Sequence, residues 1–569
     1  MVPIRSSDRM RYASGLRTRT AAPTLVAVLA SAAATAATAA TAATAGAQTR
    51  AYDVVVYGGT AGGVITAVAA AREGARVALL EPRDHLGGMV SGGLGSTDHG
   101  RRTVIGGYSL EFYERAGRKY GLPIQWLLEP HVAESIFQDL VKETGVEVFY
   151  RHRLRERKGV TKEGTRVTSI ALENGSRFAA RVFADATYEG DLMAQAGVSY
   201  TWGREGKDQY GESLAGVRDR TPLHQFGVPI PARDDRGRLW PEVSGPPKAR
   251  PGSADKKVQA YNFRVCMTEV PENRVPFPRP VRYAPDRFAL LAQMLARMDA
   301  IKKAAAAAGE PVAPDTRDPS VRLKQPWNLR DVMAPGLLPS GKTDTNNNGA
   351  FSTDFIGGSD GYPQGDYATR ARIWQAHADY VQGFLYFLQN DPQVPAALHE
   401  QIAPWGLCKD EFTDTGHWPH QLYVREARRM VGTYVMSQKD IQTELTKPDA
   451  IGMGSYASDS HNVQRIVNEE GLVENEGDMQ VPVQPYQIPY RVMLPRRTEA
   501  TNLLVPVCFS ATHVAYSTLR MEPQYMIVGH AAGVAAKMAI DRKVPVQDID
   551  TRALGAKLKS QRAVLEIRP

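Results

Sequence analysis

The chain has 569 residues, of which 43% are hydrophobic and 23% are charged, so it can bury a large core and is not an intrinsically disordered protein. Its formal net charge is +8, and five arginines and one aspartate within residues 1–47 contribute +4 of it. The remaining charge of about +4 is too small to indicate nucleic acid or an anionic membrane as a partner.

Residues 1–47 have the features of an export signal. Basic residues precede an Ala/Thr/Val/Leu stretch, and Ala45-Gly46-Ala47 has the small-x-small form of a signal-peptidase site. The alternative is an uncleaved anchor or a disordered Ala/Thr tract, but the stretch is only weakly apolar for a permanent membrane helix. No other long apolar run follows, so we expect a secreted or periplasmic protein with no membrane span in the mature chain.

The cysteines and histidines do not indicate a metal site. Cys266, Cys408 and Cys508 are odd in number and far apart, which is not the pattern of a disulfide framework or a CxxC site, although one disulfide is compatible with them. The twelve histidines include no HExxH motif and no paired ligand spacing, so we expect no metal.

Residues 52–82, YDVVVYGGTAGGVITAVAAAREGARVALLEP, predict a strand, a glycine turn, a helix and a second strand. The turn directs backbone N–H groups and a helix N terminus at one point, which suits a pyrophosphate, and Glu81 suits ribose hydroxyls. Thr60 replaces the middle glycine of G-x-G-x-x-G, so either the turn shifts or its hydroxyl contacts the ligand. The predicted cofactor-binding residues here are Gly58, Gly59, Thr60, Ala61, Gly62, Gly63, Glu81 and Pro82.

A second glycine-rich segment favours FAD over NAD. EPRDHLGGM and then SGGLGSTDHG follow the acidic residue, and glycines allow the backbone to lie flat against an extended ligand. A later strand ends in an Asp-Ala-Thr sequence, and a C-terminal segment has the order strand, Ser/Thr/His turn, helix. These segments add predicted cofactor-binding residues Gly87, Gly88, Met89, Asp185, Ala186, Thr187, Ser510 and Ala511.

Together these motifs resemble a bacterial family of FAD-dependent oxidoreductases with a glutathione-reductase-like fold. The resemblance rests on VVVYGGTAGGV, EPRDHLGGM, DATYEGDLMAQAGV, GREGKDQYGESLAGV, YNFRVCMT, KTDTNNNGAFSTDFIG, YVREARRMVG, MGSYASDSHNVQR and TNLLVPVCFSATHVAYSTLRMEPQYMIVGHAAGVAAKMAI. It implies FAD as the cofactor, and it implies that the family's own turn carries the threonine. The implied fold class is α/β, with a Rossmann-like FAD-binding domain assembled from N- and C-terminal segments and an inserted α+β substrate domain.

The predicted domain organisation has three parts after the signal. Residues 48–200 are the first part of the FAD-binding domain, 201–450 the substrate or cap domain, and 451–569 the C-terminal part of the FAD-binding domain. We expect helices around 288–308 and 367–388 in the middle part, and a short helix within 547–569. The chain shows no second dinucleotide fingerprint, which favours direct oxidation of a substrate, with O₂ or a diffusible carrier as electron acceptor.

Three residues are predicted to be catalytic. His513, in the turn before the C-terminal helix, is the leading candidate for a base, and His461 in SDSHNVQR is the second. The alternative for His513 is a structural hydrogen bond within a flavin loop. Arg520 suits a substrate carboxylate or a flavin oxygen, and a surface ion pair with Glu522 is the alternative.

Other polar segments give weaker hypotheses. YVREARRMVG predicts a helix with Arg425 and Arg429 on one face, either for an anion or satisfied by Glu426. His85, close to the second glycine pair, is a candidate for covalent attachment to FAD. The glycine-bounded loops with side chains suited to hydroxyl groups, or to simple turns, contain Asp98, His99, Asp344, Asn346 and Asn347.

The sequence therefore predicts a FAD-dependent dehydrogenase or oxidase. Its substrate would be a small polar or sugar-like molecule, oxidised by hydride transfer to the flavin. Two alternatives stay open: a flavin monooxygenase or hydroxylase that takes reductant from outside, and a carbohydrate-processing protein that keeps FAD as a structural group.

Overall fold

The computed structural model describes residues 49–245, 248–313 and 319–567, so the predicted export signal at 1–47 lies outside the described residues. The strands are β1 Thr49–Tyr57, β2 Val77–Leu80, β3 Glu147–Phe149, β4 Val160–Glu163, β5 Arg166–Ala171, β6 Arg177–Asp185, β7 Tyr200–Thr201, β8 Met267–Thr268, β9 Arg274–Val275, β10 Met333–Leu337, β11 Thr343–Asn347, β12 Gly406–Cys408, β13 Arg429–Met430, β14 Ala450–Gly454, β15 Ser458–Ser460, β16 Gln464–Val467, β17 Val473–Glu476, β18 Met479–Val481, β19 Tyr486–Pro489 and β20 Leu503–Leu504. The helices are α1 Ala61–Arg72, α2 Gly107–Lys119, α3 Pro130–Thr144, α4 Asp191–Gln195, α5 Lys207–Tyr210, α6 Ala289–Ala307, α7 Pro319–Arg322, α8 Tyr367–Asn390, α9 Ala396–Ile402, α10 Gln438–Gln442, α11 His513–Leu519, α12 Glu522–Arg542 and α13 Thr551–Ser560.

A mixed sheet of seven strands organises the protein, with the order β3-β2-β1-β6-β5-β4 and β20 beside β6. Strands β1, β2, β3, β6 and β20 are parallel, whereas β4 and β5 are antiparallel additions. Val54 and Val56 of β1 pack into the core on one face, and Val55 and Tyr57 pack into the core on the other. The apolar run of β1 is thus buried on both faces, as its sequence predicts, and the parallel part of the sheet is Rossmann-like.

Distant parts of the chain meet at the end of β6. Tyr57 of β1 pairs with Asp185 of β6, and Leu504 of β20 pairs with Ala184 on the other side. Parallel strands place their carboxyl ends at one edge of a sheet. The glycine turn after β1, Glu81 after β2 and the segment after β20 therefore lie at the same edge.

Helices α1 and α12 pack closely through small residues. A Cβ on Gly529 would lie 2.3 Å from the Gly62 carbonyl oxygen, and one on Gly533 would lie 2.4 Å from the Thr66 carbonyl oxygen. The spacing of four residues in both helices means that they run parallel along one stripe. Because α12 starts more than one turn before Gly529, its N terminus extends beyond that of α1.

The middle of the chain confirms two predicted helices and corrects two other predictions. Helices α6 and α8 match the expected helices, and α13 matches the expected short helix near the C terminus. The helix predicted for YVREARRMVG is wrong, because residues 424–428 are irregular and Arg429 pairs with Thr201 in a short antiparallel ladder. This pairing and the buried Glu426–Arg429 ion pair outweigh local helix propensity. KTDTNNNGAF is not a plain loop, because β11 forms a hairpin with β10.

Cys266 and Cys408 form a disulfide with a Cα–Cα distance of 5.6 Å, and Cys508 is a buried thiol. The described residues from Thr49 onwards cluster as one compact unit, and the domain boundaries at 200 and 450 stay predictions. None of the helices within the described ranges combines the length and hydropathy of a bilayer-spanning segment.

Candidate functional site

The glycine turn after β1 leaves no space for side chains. Gly58 has a φ of +105°, and a Cβ there would lie 2.8 Å from the Thr187 nitrogen. A Cβ on Gly63 would lie 1.9 Å from the Gly58 carbonyl oxygen and 3.0 Å from the Ala186 Cβ. The turn after β1 thus contacts the segment after β6, which brings Ala186 and Thr187 beside the predicted pyrophosphate site.

Thr60, which replaces the middle glycine of the motif, has a structural role in the turn. Its backbone is extended, with φ of −61°, so this position needs no glycine conformation. Its hydroxyl accepts the Gly63 N–H at 3.1 Å and donates to the Ala186 carbonyl at 2.7 Å. Thr60 therefore caps α1 and ties the turn to β6, while the N–H groups of Ala61 and Gly62, which have no intrahelical acceptor, stay directed at the site.

Glu81 is buried at the tip of β2 and is held by two backbone groups. Its Oε2 accepts the Gly59 N–H and its Oε1 accepts the Arg83 N–H, both at 2.7 Å. Burial raises the pKa of Glu81 to about 7, despite these hydrogen bonds. A carboxylate oxygen can accept two hydrogen bonds, so each oxygen keeps acceptor capacity for a ribose hydroxyl.

Asp185 has a different role from Glu81, although both end a strand of the sheet. Its carboxylate accepts hydrogen bonds from the Thr187 N–H, the Thr187 hydroxyl and the Met193 N–H. Burial raises its pKa to about 6. Asp185 therefore organises the segment after β6, and Thr187 is the neighbour that faces the cavity.

A cavity of about 280 Å³ lies at this edge of the sheet. Trp374 forms part of its wall, with the Arg83 guanidinium 3.6 Å from the ring centroid. A carboxylate beside a flat aromatic wall suits the ribose and base of an adenosine. The predicted residues that line the cavity are Gly58, Thr60, Glu81, Pro82 and Thr187.

The second glycine pair contacts the start of α12 through a tyrosine. Gly87 has a φ of +101° and Gly88 a φ of +55°, and a Cβ on Gly88 would lie 2.4 Å from the Tyr188 hydroxyl. The Met89 N–H donates to that hydroxyl at 3.0 Å, and the hydroxyl donates to Glu522 at 2.6 Å. Burial raises the pKa of Glu522 to about 8.

Unpartnered polar atoms mark the first turn of α12. The Gln524 side chain is fully buried, and neither atom of its amide has a hydrogen-bond partner among the described residues. Buried polar groups are nearly always hydrogen-bonded, so this amide and the free N–H groups of the helix end indicate a ligand. The isoalloxazine ring of FAD carries donors and acceptors, and FAD therefore fits the residues from the glycine turn to α12.

His513 lies in a buried ion-pair network after β20. Its Nδ1 lies 2.8 Å from Glu426, and its backbone N–H donates to Glu205 at 2.9 Å. Burial and the Arg429 guanidinium lower the pKa of His513 to about 3, so the ring stays neutral. Ala511 joins this network, because its carbonyl accepts the Arg429 Nε–H, whereas the Ser510 hydroxyl accepts the Gly432 N–H.

A second group of side chains, here called the polar cluster, lies beside the start of α12. Its members are Arg425, Arg520, Asp354, Asp459 and His461. His461 Nδ1 lies 2.7 Å from Asp354, and its Nε2 lies 3.6 Å from Asp459. Arg425 pairs with Asp354 at 3.0 Å, and Arg520 with Asp459 at 3.1 Å. Arg520 precedes α12 by two residues and pairs with Asp459, not with Glu522.

The charges within the polar cluster shift one another's pKa values. Burial and Arg425 oppose a charge on His461, but the Asp354 and Asp459 carboxylates outweigh them and raise its pKa. Burial opposes the charge on Asp459, but His461 and Arg520 lower its pKa well below the usual range. Of the five, His461 and Asp459 keep 11% and 15% of their side-chain surface exposed, so the cluster is not completely sealed from solvent.

The polar cluster also has donors that no protein group uses. Arg425 and Arg520 are almost completely buried, yet Nε and Nη2 of Arg425 and Nε of Arg520 lack hydrogen-bond partners in the described part of the chain. Tyr423 lies between them, with its ring 4.8 Å from the Arg425 guanidinium and its hydroxyl 3.1 Å from Arg520 Nη1. The cluster can therefore bind a small polar molecule.

Three other polar residues named in the sequence analysis, Asp98, Asp344 and His85, have different neighbours in the structure. Asp98 lies near the cluster, and burial and Asp459 raise its pKa, although Arg264 opposes the shift. Asp344 pairs with Arg264 at 2.5 Å. His85 lies between Glu134 and Asp414 at 3.1 and 3.0 Å, stacked on another imidazole.

Sequence reasoning did not single out four residues that the site contains. Asp354, Tyr423, Gln524 and Arg264 each contribute a buried polar group near the start of α12 or the polar cluster. Asp354, Gln524 and Arg264 lie inside segments that carry the family resemblance, and Tyr423 begins another. Membership in those segments is the signal that could have found them.

Comparisons with known proteins agree with this cofactor assignment. A sequence profile described as "FAD dependent oxidoreductase" matches residues 53–558. A search of curated proteins found no significant match.

Solved structures resemble only part of the chain. Thermovibrio ammonificans THI4 is 19% identical over 32% of this chain and 76% of its own, with a TM-score of 0.21. OxyS anhydrotetracycline hydroxylase from Streptomyces rimosus is 16% identical over 32% of this chain and 42% of its own, with a TM-score of 0.22. L-amino acid deaminase from Proteus vulgaris is 13% identical over 28% and 53%, with a TM-score of 0.23. The chain thus spans about half or less of the last two proteins.

The profile match covers most of the chain, including the second half of β1, all of β6, the polar cluster and α12. The family match implies a site for FAD. Such a site is formed by the glycine turn, Glu81 and the unpartnered groups at the start of α12. The chain therefore belongs to the FAD-dependent oxidoreductase family and is an enzyme whose cofactor is FAD.

Proposed function

We propose that the enzyme oxidises a small, polar or sugar-like substrate by hydride transfer, with the substrate bound at the polar cluster. The observation that carries the proposal is the set of unused, buried donors on Arg425 and Arg520 beside the start of α12. When bound, FAD supplies the hydride-accepting chemistry. The protein has to bind the substrate, orient it and accept its proton.

We assign the proton-accepting role to His461 in preference to His513. His461 contacts two carboxylates, keeps part of its ring exposed and has a raised pKa, so its imidazolium is stabilised after proton transfer. His513 is held by Glu426 in a fully buried network, and its pKa of about 3 makes it a weak proton acceptor. In this proposal His513 positions Glu426 and Arg429, and Arg520 orients the substrate.

Anaerobic reduction tests the proposed reaction. We expect at least one member of a library of polyols, sugars and hydroxy acids to bleach the flavin absorbance of the purified holoenzyme without NAD(P)H. Bleaching only after addition of NAD(P)H would instead indicate a monooxygenase or hydroxylase. Conversion of a carbohydrate without bleaching would indicate a structural FAD. Reoxidation by O₂ or by artificial carriers then identifies the class of electron acceptor.

We further propose that the FAD-binding domain is of the glutathione-reductase type, built from residues 48–200 and 451–569, and that 201–450 form the substrate domain. The pairing of β20 with β6 and the packing of α12 on α1 support this organisation. Hydrogen exchange tests it: FAD addition should protect both 52–90 and 503–530. Protection of the first segment alone would contradict the proposal.

We also propose that the protein is exported to the periplasm or the medium. The features of residues 1–47 support this, and so does the disulfide between Cys266 and Cys408, because disulfides persist in oxidising compartments. The intact mass of protein from the extracytoplasmic fraction of an expressing bacterium should correspond to a chain that starts at Gln48. A full-length mass in the cytoplasm alone would contradict export.

A further inference from the structure

One arginine of the polar cluster, Arg425, has two N–H donors on the same edge of its guanidinium group that are unpartnered among the described residues. Arg425 is 1% exposed, and only its Nη1 is engaged, by the Ala260 carbonyl and by Asp354. Its Nε and Nη2 have no partner within the described ranges. These two N–H groups lie on one edge of the planar guanidinium and point in parallel, which is the geometry that binds both oxygens of a carboxylate.

The surroundings hold this edge in a fixed position. The Tyr423 ring lies 4.8 Å from the Arg425 guanidinium, and the Tyr423 hydroxyl accepts a hydrogen bond from Arg520. Asp354 pairs with Arg425 from the Nη1 side, so the pair does not use the free edge. Arg520 presents a further unpartnered Nε–H. A single anionic group can therefore meet donors from two arginines.

The charge balance favours a ligand with one negative charge. While His461 is neutral, Arg425 and Arg520 balance two carboxylates, Asp354 and Asp459, and the proton that His461 accepts in the proposed reaction adds one excess positive charge. The neighbouring Arg264 is already neutralised by Asp344, and burial and Asp459 raise the pKa of the nearby Asp98, which favours its uncharged form. A phosphate dianion would meet the two carboxylates of the cluster, whereas a substrate carboxylate balances the excess charge.

We infer that the free edge of Arg425 binds the carboxylate of the substrate, so that the substrate class is a small hydroxy acid or sugar acid. This inference rests on the proposed function, because it names the substrate of the same site. The carboxylate occupies Nε and Nη2 of Arg425, and Arg520 Nε donates to it or to an adjacent hydroxyl. The carbon that bears the hydroxyl group then lies on the side of His461.

Matched pairs of acids and neutral analogues test the inference in the holoenzyme. The probes are gluconate against glucitol, glycerate against glycerol, and lactate against lactamide. Flavin bleaching under anaerobic conditions reports oxidation, and perturbation of the oxidised flavin spectrum together with the thermal shift reports binding. We expect at least one acid to be preferred over its neutral partner by about 100-fold or more, because the site leaves charged donors unpaired with the neutral analogue.

Variants connect this preference to the arginine. Arg425→Lys keeps the charge and removes the two parallel N–H donors, so the preference for the acid over its neutral analogue should fall at least tenfold. Arg287→Lys is the matched control, because Arg287 also lies within residues 201–450 and forms an ion pair with Glu242, which is not a member of the polar cluster. If Arg425→Lys does not fold, the comparison of each acid with its neutral analogue in the wild-type enzyme still tests whether the site binds a carboxylate.

The outcomes separate this inference from the proposed reaction. A neutral partner that bleaches the flavin as well as the acid overturns the carboxylate assignment and leaves the oxidation standing. Acids that bind through Arg425 without bleaching support the assignment and contradict the oxidation. An acid preference that survives in Arg425→Lys, or the absence of any response to the acids, overturns the assignment.

Discussion

The nucleotide end of the site and the polar cluster are constructed in different ways. At the nucleotide end, three consecutive elements, β1, α1 and β2, place the glycine turn and Glu81 together, and most contacts use backbone groups. The polar cluster gathers side chains from four separate segments, and every contact depends on side-chain identity. Variants at the first region should therefore change how tightly FAD is held, and variants at the second should change what the loaded enzyme does.

The largest expected effect is on catalysis by the polar cluster. His461→Gln should slow flavin reduction by the best substrate by about 10²–10⁴-fold if His461 accepts the substrate proton. FAD content should stay unchanged, because the contacts of the ring are with Asp354 and Asp459 in the polar cluster. Stopped-flow reduction and the visible spectrum measure the two quantities.

The pH profile and a matched histidine variant sharpen this prediction. The neutral imidazole is the reactive form, so wild-type reduction should rise with pH and level off above the raised pKa of His461. The rise should disappear in His461→Gln. His513→Gln should keep the pH profile, since the pKa of His513 is about 3. A profile that is lost in His513→Gln alone would reverse the two assignments.

The second prediction concerns Glu81 at the nucleotide end. Glu81→Ala should weaken FAD binding by roughly 1–3 kcal/mol, or about 5–150-fold, through loss of charge-assisted bonds to the ribose. The reduction rate of enzyme saturated with FAD should be unchanged. Fluorescence titration of the FAD-free protein measures the affinity, and Asp53→Ala serves as the control, because Asp53 is a half-buried carboxylate on β1 that pairs with Arg181. An unaltered FAD affinity would mean that another residue holds the ribose.

Both regions could be predicted from the sequence to different degrees. The turn, Glu81 and the second glycine pair follow from spacing within about forty residues, because β-α-β units have a regular length. The pairing of Asp354 with His461 and Arg425 could not be read in this way, since these contacts depend on the tertiary arrangement of separate loops. The sequence nevertheless indicates His461, because its polar segment has no explanation in local propensity, and Arg520, because it lies between the Ser/Thr/His turn and the C-terminal helix.

The incorrect prediction of a helix for YVREARRMVG also arises because tertiary contacts between separate segments decide the structure there. Its Glu, Ala and Arg residues favour a helix locally, and a like-charged pair at a spacing of four then indicates an anion-binding face. In the structure Arg425 and Arg429 point to different networks, one to Asp354 and the other to Glu205. Local propensity therefore failed where buried ion pairs decide the backbone path.

The third prediction uses pH to test the nucleotide end alone. The pKa of Glu81 is about 7 in the FAD-free protein, and the ionised carboxylate is the better acceptor for ribose hydroxyls. FAD affinity should therefore fall as pH decreases below about 7, by at most about tenfold per pH unit because one proton is involved. Above pH 8 the affinity should be constant. In Glu81→Gln this dependence should vanish, and its persistence there would assign it to another group.

The smallest expected effect concerns Thr60, and it distinguishes a structural hydroxyl from a ligand contact. Thr60→Val removes the cap on Gly63 and the bond to Ala186, so the free energy of unfolding should fall by about 1 kcal/mol. Thr60→Ser keeps both hydrogen bonds and should be close to the wild type. FAD affinity should change by less than about threefold in both variants, because the phosphate is bound by backbone N–H groups of α1. A tenfold loss of FAD affinity in Thr60→Val alone would show that the hydroxyl binds the cofactor. The turn would then recognise FAD through a side chain, and the contrast with the polar cluster would not hold at this position.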